Sequence, residues 1–165
     1  YAITSVLGTK SVMLSAENSF ISSTFFTERI GFVAALATLG EMERTKSWEV
    51  ISEKGAAFKS RLKALAAHHS ITVDVGGMDA LVTYSFRYND AAETKTYITQ
   101  EMLKENFLAS NQFYPSIQHS DDDVNDFFTS LDKILLRLSK IIQDGVDLKE
   151  YIDGPVAHST FQRLN

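Results

Sequence analysis

Ser120-Asp-Asp-Asp-Val-Asn-Asp-Phe-Phe-Thr-Ser-Leu-Asp-Lys-Ile-Leu-Leu-Arg-Leu-Ser-Lys-Ile-Ile142 carries its apolar residues at helical spacing. Val124, Phe127, Phe128, Leu131, Ile134, Leu135, Leu138, Ile141 and Ile142 fall on one stripe. Ser120 stands where its hydroxyl can cap the first turn. So wide a stripe has to be buried, and the sequence upstream supplies a sheet to bury it against. Ile71, Val73 and Val75 alternate with polar residues, Gly76-Gly77 breaks the run, and Val82, Tyr84 and Phe86 alternate again. This pattern predicts two strands joined by a turn at the glycines. Short extended pieces at 107–109 and 113–117 add a strand or two, with Pro115 favouring an edge position. The fold class that follows is α/β, a short and mainly antiparallel sheet packed by helices.

Three further helices are predicted. Ile30, Val33, Ala34, Ala37 and Leu39 mark one that runs to about Arg44. Ser47, as N-cap with Glu49 in the first turn, opens a second that carries Ile51, Phe58, Leu62 and Leu65 on one face and ends around His68. A weaker pattern covers 91–105. The opening Tyr1-Ala-Ile-Thr-Ser-Val-Leu-Gly8 reads as a strand ending at a glycine, with neither an initial methionine nor a signal peptide. A strand cannot satisfy its own backbone groups, so this one is expected to pair within a sheet whose other strands lie mostly outside these residues. The chain is therefore expected to be the carboxy-terminal portion of a larger protein.

With 165 residues, 44% of them hydrophobic, there is material for one compact domain, or for a small domain plus a piece of its neighbour. A net charge of -5 with scattered Lys and Arg argues against nucleic acid or an anionic membrane as partner. The longest apolar stretch, 31–39, is interrupted by Thr38 and falls short of the roughly 20 residues a membrane span needs, so a soluble chain is expected. The absence of cysteine removes disulfides, thiolate metal sites and a cysteine nucleophile, and makes a cytoplasmic location the default.

Few residues invite chemistry. Asp121, Asp122 and Asp123 resemble a hard-cation cluster, yet consecutive helical positions point apart and three acids suit the positive end of a helix, so no metal is expected. His68 and His69 sit near a helix end with no carboxylate or cysteine nearby in sequence to complete a ligand set, and His119 and His158 are isolated. No serine elbow, Walker loop or dinucleotide fingerprint is present. The segment Ser19-Phe-Ile-Ser-Ser-Thr-Phe-Phe-Thr-Glu-Arg-Ile-Gly31 differs, because it sets hydroxyls immediately before a helix, where free N–H groups favour an anion such as phosphate. The same hydroxyls also serve as plain helix caps.

At this segment the sequence resembles class III pyridoxal-phosphate-dependent (PLP-dependent) aminotransferases, in particular the glutamate-1-semialdehyde aminomutase-like branch. Tyr1 to Gly8 resembles the strand after the cofactor lysine, Pro115-Ser-Ile-Gln-His-Ser-Asp-Asp-Asp-Val124 the lead into the last long helix, and 154–165 the tails of that branch. The resemblance covers essentially the whole chain. It implies the carboxy-terminal part of a fold type I PLP-dependent transferase, with 1–45 ending the large cofactor-binding domain and 46–165 forming the small α/β domain. In the family a lysine holds PLP as a Schiff base and shuttles a proton at the substrate's Cα. The resemblance puts that lysine, and the aspartate that pairs with the pyridine nitrogen, before Tyr1. Lys10 follows the strand and is not assigned the role, so the chain alone is expected to be inactive.

What carries over is narrow. Thr24 matches the threonine that binds the cofactor phosphate of the opposite subunit, with Ser23 beside it as a second donor, which implies a homodimer with shared sites. Asn111 falls where the aminomutases present a substrate-facing glutamate. An asparagine does not take up a proton as a carboxylate does, which favours an aminotransferase acting on a small amino or keto substrate over a glutamate-1-semialdehyde 2,1-aminomutase. Arg87 and Arg29 could grip a substrate carboxylate, although surface or structural pairing is the commoner fate of arginine. The competing reading is a non-catalytic dimerisation or interaction module that keeps the fold without the chemistry.

Overall fold

A computed structural model describes residues 1, 3–88 and 90–158. The chain divides into two compact units, Tyr1–Ser47 and Trp48–Asn165.

The first unit holds α1 (Lys10–Met13), a 3-10 segment (Leu14–Asn18) and α2 (Arg29–Thr45). Lys46, in the left-handed conformation at φ 47°, terminates α2, and its N–H is taken by the carbonyls of Glu43 and Met42. None of the unit's described residues is buried. The expected strand at the start is not formed, since the described residues among 1–9 have no regular structure. Alternation alone does not make a strand, and no described strand offers these residues a ladder.

The second unit contains the core. Its elements are α3 (Ser47–His68, entered from the boundary residue), β1 (Thr72–Met78), β2 (Leu81–Arg87), α4 (Ala91–Lys104), β3 (Gln112–Phe113), α5 (Asp121–Asp144) and a 3-10 turn (Leu148–Tyr151). The sheet is antiparallel with order β1-β2-β3. Val82, Tyr84 and Phe86 point from β2 into one hydrophobic cluster with Phe58, Leu62 and Ala66 of α3. Tyr97, Ile98 and Met102 of α4 and the α5 stripe from Phe128 to Ile141 complete it. Full burial of each large apolar side chain contributes about 1.5–3 kcal/mol. Between these residues Thr83 and Ser85 turn to the opposite face of the sheet and are half-buried and exposed respectively. Polar contacts tie α4 to α5: Glu101 accepts from Lys104 at 2.7 Å and from Arg137 of α5 at 3.2 Å. Burial works against the Glu101 charge, but hydrogen bonds from Lys104 and Gln100 hold its carboxyl below the usual range.

Two strand expectations need correction. Gly76 and Gly77 lie inside β1, and the chain turns at Asp79–Ala80, since Met78 pairs with Leu81. Gly77 is glycine for a different reason: it has φ 75°, and a Cβ there would collide with the Leu81 carbonyl. The extended pieces at 107–109 and 113–117 reduce to the two-residue β3: with Val82 opposite Phe113 and β2 starting at Leu81, residues from Pro115 onward have no strand beside them. In the tail, 159–165 lies outside the described residues, and with it most of the sequence similarity noted at 154–165.

The cap of α5 forms as expected. Asp123 N–H donates to Ser120 Oγ at 3.0 Å and Ser120 N–H donates to Asp123 Oδ2 at 2.9 Å, a reciprocal capping box. These Ser120 bonds hold the Asp123 carboxyl below its ordinary range. Ser120→Ala is expected to cost about 1 kcal/mol, read as a lower urea midpoint, and an unchanged midpoint would contradict the cap's role.

Candidate functional site

Ser23 and Thr24 belong to the first unit and Asn111 to the second. Thr24 to Thr27 form a turn ahead of α2, in which Ser23 O accepts from Phe26 N–H at 3.2 Å and Phe25 O accepts from Glu28 N–H at 3.1 Å. Ser23 and Thr24 therefore stand one turn before the helix and not at its cap. The capping position belongs to Glu28, whose side chain makes no capping bond. Both Ser23 and Thr24 are exposed, and neither hydroxyl has a hydrogen-bond partner among the described residues. Ser23 borders a cavity of about 850 Å³ walled by Tyr1, Ile3, Phe25, Phe26 and Phe32. Arg29 opens α2.

In the second unit Asn111 follows α4 and lies at the end of the short β3 ladder. Its main-chain carbonyl accepts from Tyr84 N–H at 2.9 Å, and its Oδ1 accepts from Ser110 Oγ at 3.0 Å, which leaves the amide N–H groups free to donate. Beyond this point β3 no longer accompanies β2, and a cavity of about 230 Å³ opens at the sheet edge. Asn111, Ser110, Ser85, Lys95 and His158 contribute its polar lining, over a floor of Tyr84, Phe86 and Ile98. Burial pushes the Tyr84 phenol up to about 12, so its proton stays in place at neutral pH.

The remaining candidates take structural positions. His69, buried, pairs with Asp132 of α5 at 2.6 Å, a carboxylate that local sequence did not reveal because it lies 63 residues away. Among the described residues no three His, Cys, Asp or Glu side chains converge as a metal site. His119 Nδ1 accepts from Ser116 N–H at 3.0 Å, and its carbonyl accepts from Lys54. Arg87 pairs with Asp74 across the β1–β2 hairpin. No helix among the described residues is long and apolar enough to cross a membrane.

No protein-family model matches the chain. It is 24% identical over 148 residues to the 3-aminobutyryl-CoA aminotransferase of Cloacimonas acidaminovorans (strain Evry), covering 86% of this chain and 36% of the relative. It is 26% identical over 136 residues to the 2'-deamino-2'-hydroxyneamine transaminase of Streptomyces kanamyceticus, covering 79% of this chain and 34% of the relative. The chain thus spans about a third of the length of these curated relatives. Among solved structures, the PLP internal aldimine form of the FumI protein from Sphingopyxis sp. MTA144 matches with a TM-score of 0.70 at 21% identity, over 84% of this chain and 33% of that one. The α/β fold, a short antiparallel sheet packed by helices, is that of the carboxy-terminal part of this PLP-bearing neighbour, and the curated relatives in sequence are aminotransferases.

Proposed function

We propose that this chain is the carboxy-terminal part of a PLP-dependent aminotransferase of the class III type, which moves an amino group between an amine or amino acid and a carbonyl compound. The observation that carries the reading is the agreement of two likenesses over most of the chain: two aminotransferases in sequence and a PLP-bearing protein in fold.

The residues present fit a phosphate ester. Ser23 and Thr24 offer two exposed hydroxyls without described partners, and the first-turn N–H groups of the following helix carry no side-chain cap. In the proposed homodimer Thr24, assisted by Ser23, donates to the cofactor phosphate held in the opposite subunit, so each site is completed by its partner. The exposure of the first unit is what this reading expects of a segment covered by the rest of its large domain and by a second subunit. Leu7 is 89% exposed, Phe20 95% and Leu36 71%, apolar side chains left open for a partner to cover. When bound, PLP supplies an electron sink for the charge left by proton loss at the substrate Cα.

In this reading the lysine that holds PLP lies outside the chain, residues 1–45 complete the large domain, and 46–165 form the small domain, in a cytoplasmic enzyme. Asn111 borders the substrate and orients it by hydrogen bonding without exchanging a proton, which favours amino transfer between two molecules over the 2,1-aminomutase reaction.

Borohydride reduction of the 165-residue chain in the presence of PLP, followed by peptide mapping, tests the placement of the anchoring amine. The expected labelling is sparse and spread over exposed lysines, with no transamination. Stoichiometric labelling of one lysine, such as Lys10, would contradict the reading.

A further inference from the structure

The geometry points to the cavity at the open edge of β2 as a binding site for a short-chain carboxylate, formed wholly within the second unit and independent of PLP. The argument begins with the sheet. In an antiparallel ladder the N–H groups of residues i and i+2 point to the same side. Tyr84 N–H donates to Asn111 O, so Phe86 N–H faces the same edge, past the last β3 residue, Gln112. A donor on a sheet edge without a neighbouring strand needs an acceptor from water or a ligand.

The other donors around the opening are of one kind. Lys95 has no ion-pair partner among the described residues, whereas Lys104 on the same helix is held by Glu101 and Asp153. Asn111 has its Oδ1 occupied by Ser110, which leaves its N–H groups to donate. Ser85 and His158 complete the rim, and among the described residues no Asp or Glu lines the cavity, although the chain as a whole carries a net charge of -5. An acidic protein that keeps its carboxylates away from one lysine-bearing cavity has left room there for a ligand's negative charge.

Charge and size narrow the class. The single ammonium of Lys95 balances a monoanion, whereas a phosphate dianion calls for more. A volume of about 230 Å³ accommodates a few heavy atoms beyond the carboxylate, and Phe86 and Ile98 give an alkyl chain an apolar floor.

Sodium butyrate titrated into the isotopically labelled 165-residue chain tests this by amide chemical shifts, without any PLP. Saturable shifts at Phe86, Lys95 and Asn111 are expected, with sodium chloride and sodium phosphate giving much weaker effects at matched ionic strength. Lys95→Gln, a substitution at an exposed position, is expected to weaken binding about five-fold while the spectrum stays dispersed. Shifts that never saturate, equal saturation by phosphate or chloride, or butyrate binding unchanged in Lys95→Gln would each overturn the proposal. Because no cofactor is added, either outcome leaves the aminotransferase reading to its own test.

Discussion

Gly55→Ala is expected to destabilise the second unit by about 3 kcal/mol, the upper end of what an overpacked site costs. Gly55 is buried on α3 directly against the turn of the β1–β2 hairpin. A Cβ there would lie 2.6 Å from the carbonyl carbon of Asp79 and closer still to its oxygen. Main-chain atoms cannot rotate out of the way as a side chain can. The turn is also pinned in place, because Lys59 reaches from the next turn of α3 to Asp79 Oδ1 at 2.9 Å and to Gly77 O at 2.6 Å. To admit a methyl group the hairpin must lift from the helix, and that strains the packing of Val82 and Tyr84 against Phe58. Urea denaturation followed by circular dichroism measures the loss. Gly40→Ala is the control: it lies in α2 with nothing within 4 Å of its would-be Cβ, and alanine there should stabilise the helix by about 1 kcal/mol. Equal midpoints for Gly55→Ala and the parent chain would mean that α3 and the turn are not in contact.

The sequence was most legible where the determinants are local. The α5 stripe and its Ser120 cap follow from spacing within one element, and the structure realises both, down to the reciprocal bond from Ser120 to Asp123. The buried face of α3, Phe58 and Leu62, is legible for the same reason. The hairpin was legible as two strands but not as a turn. Gly76-Gly77 has the appearance of punctuation, yet Gly77 is required by a positive φ inside the strand while Asp79–Ala80 makes the reversal. Nothing in a one-dimensional pattern separates these two uses of glycine.

The chemistry-bearing positions divide in the same way. Ser23 and Thr24 stand out as a run of hydroxyls, but their meaning came from resemblance, since the local pattern equally suited a helix cap that the structure assigns to Glu28. The pair formed by His69 and Asp132, and the bond from Lys54 to the His119 carbonyl, join residues 63 and 65 positions apart and leave no local trace. The cavity beside Asn111 was equally invisible, because Ser85, Lys95, Ser110 and His158 come from separate segments brought together only when β3 stops short.

The largest functional effect is expected at Thr24. A hydroxyl donating to a phosphate makes a charge-assisted hydrogen bond worth about 1.5–3 kcal/mol, so its removal should weaken PLP binding roughly ten- to a hundred-fold. The hydroxyl is exposed and makes no internal hydrogen bond among the described residues, so Thr24→Ala should leave folding intact. The decisive measurement is PLP affinity in hybrid dimers of the full-length polypeptide, in which one subunit carries Thr24→Ala and the other does not. The account predicts two classes of site in equal number, one at parental affinity and one weakened at least about ten-fold, with the weak site in the subunit that retains Thr24. A single class of sites at parental affinity, or weakening confined to the subunit that carries the substitution, would contradict it.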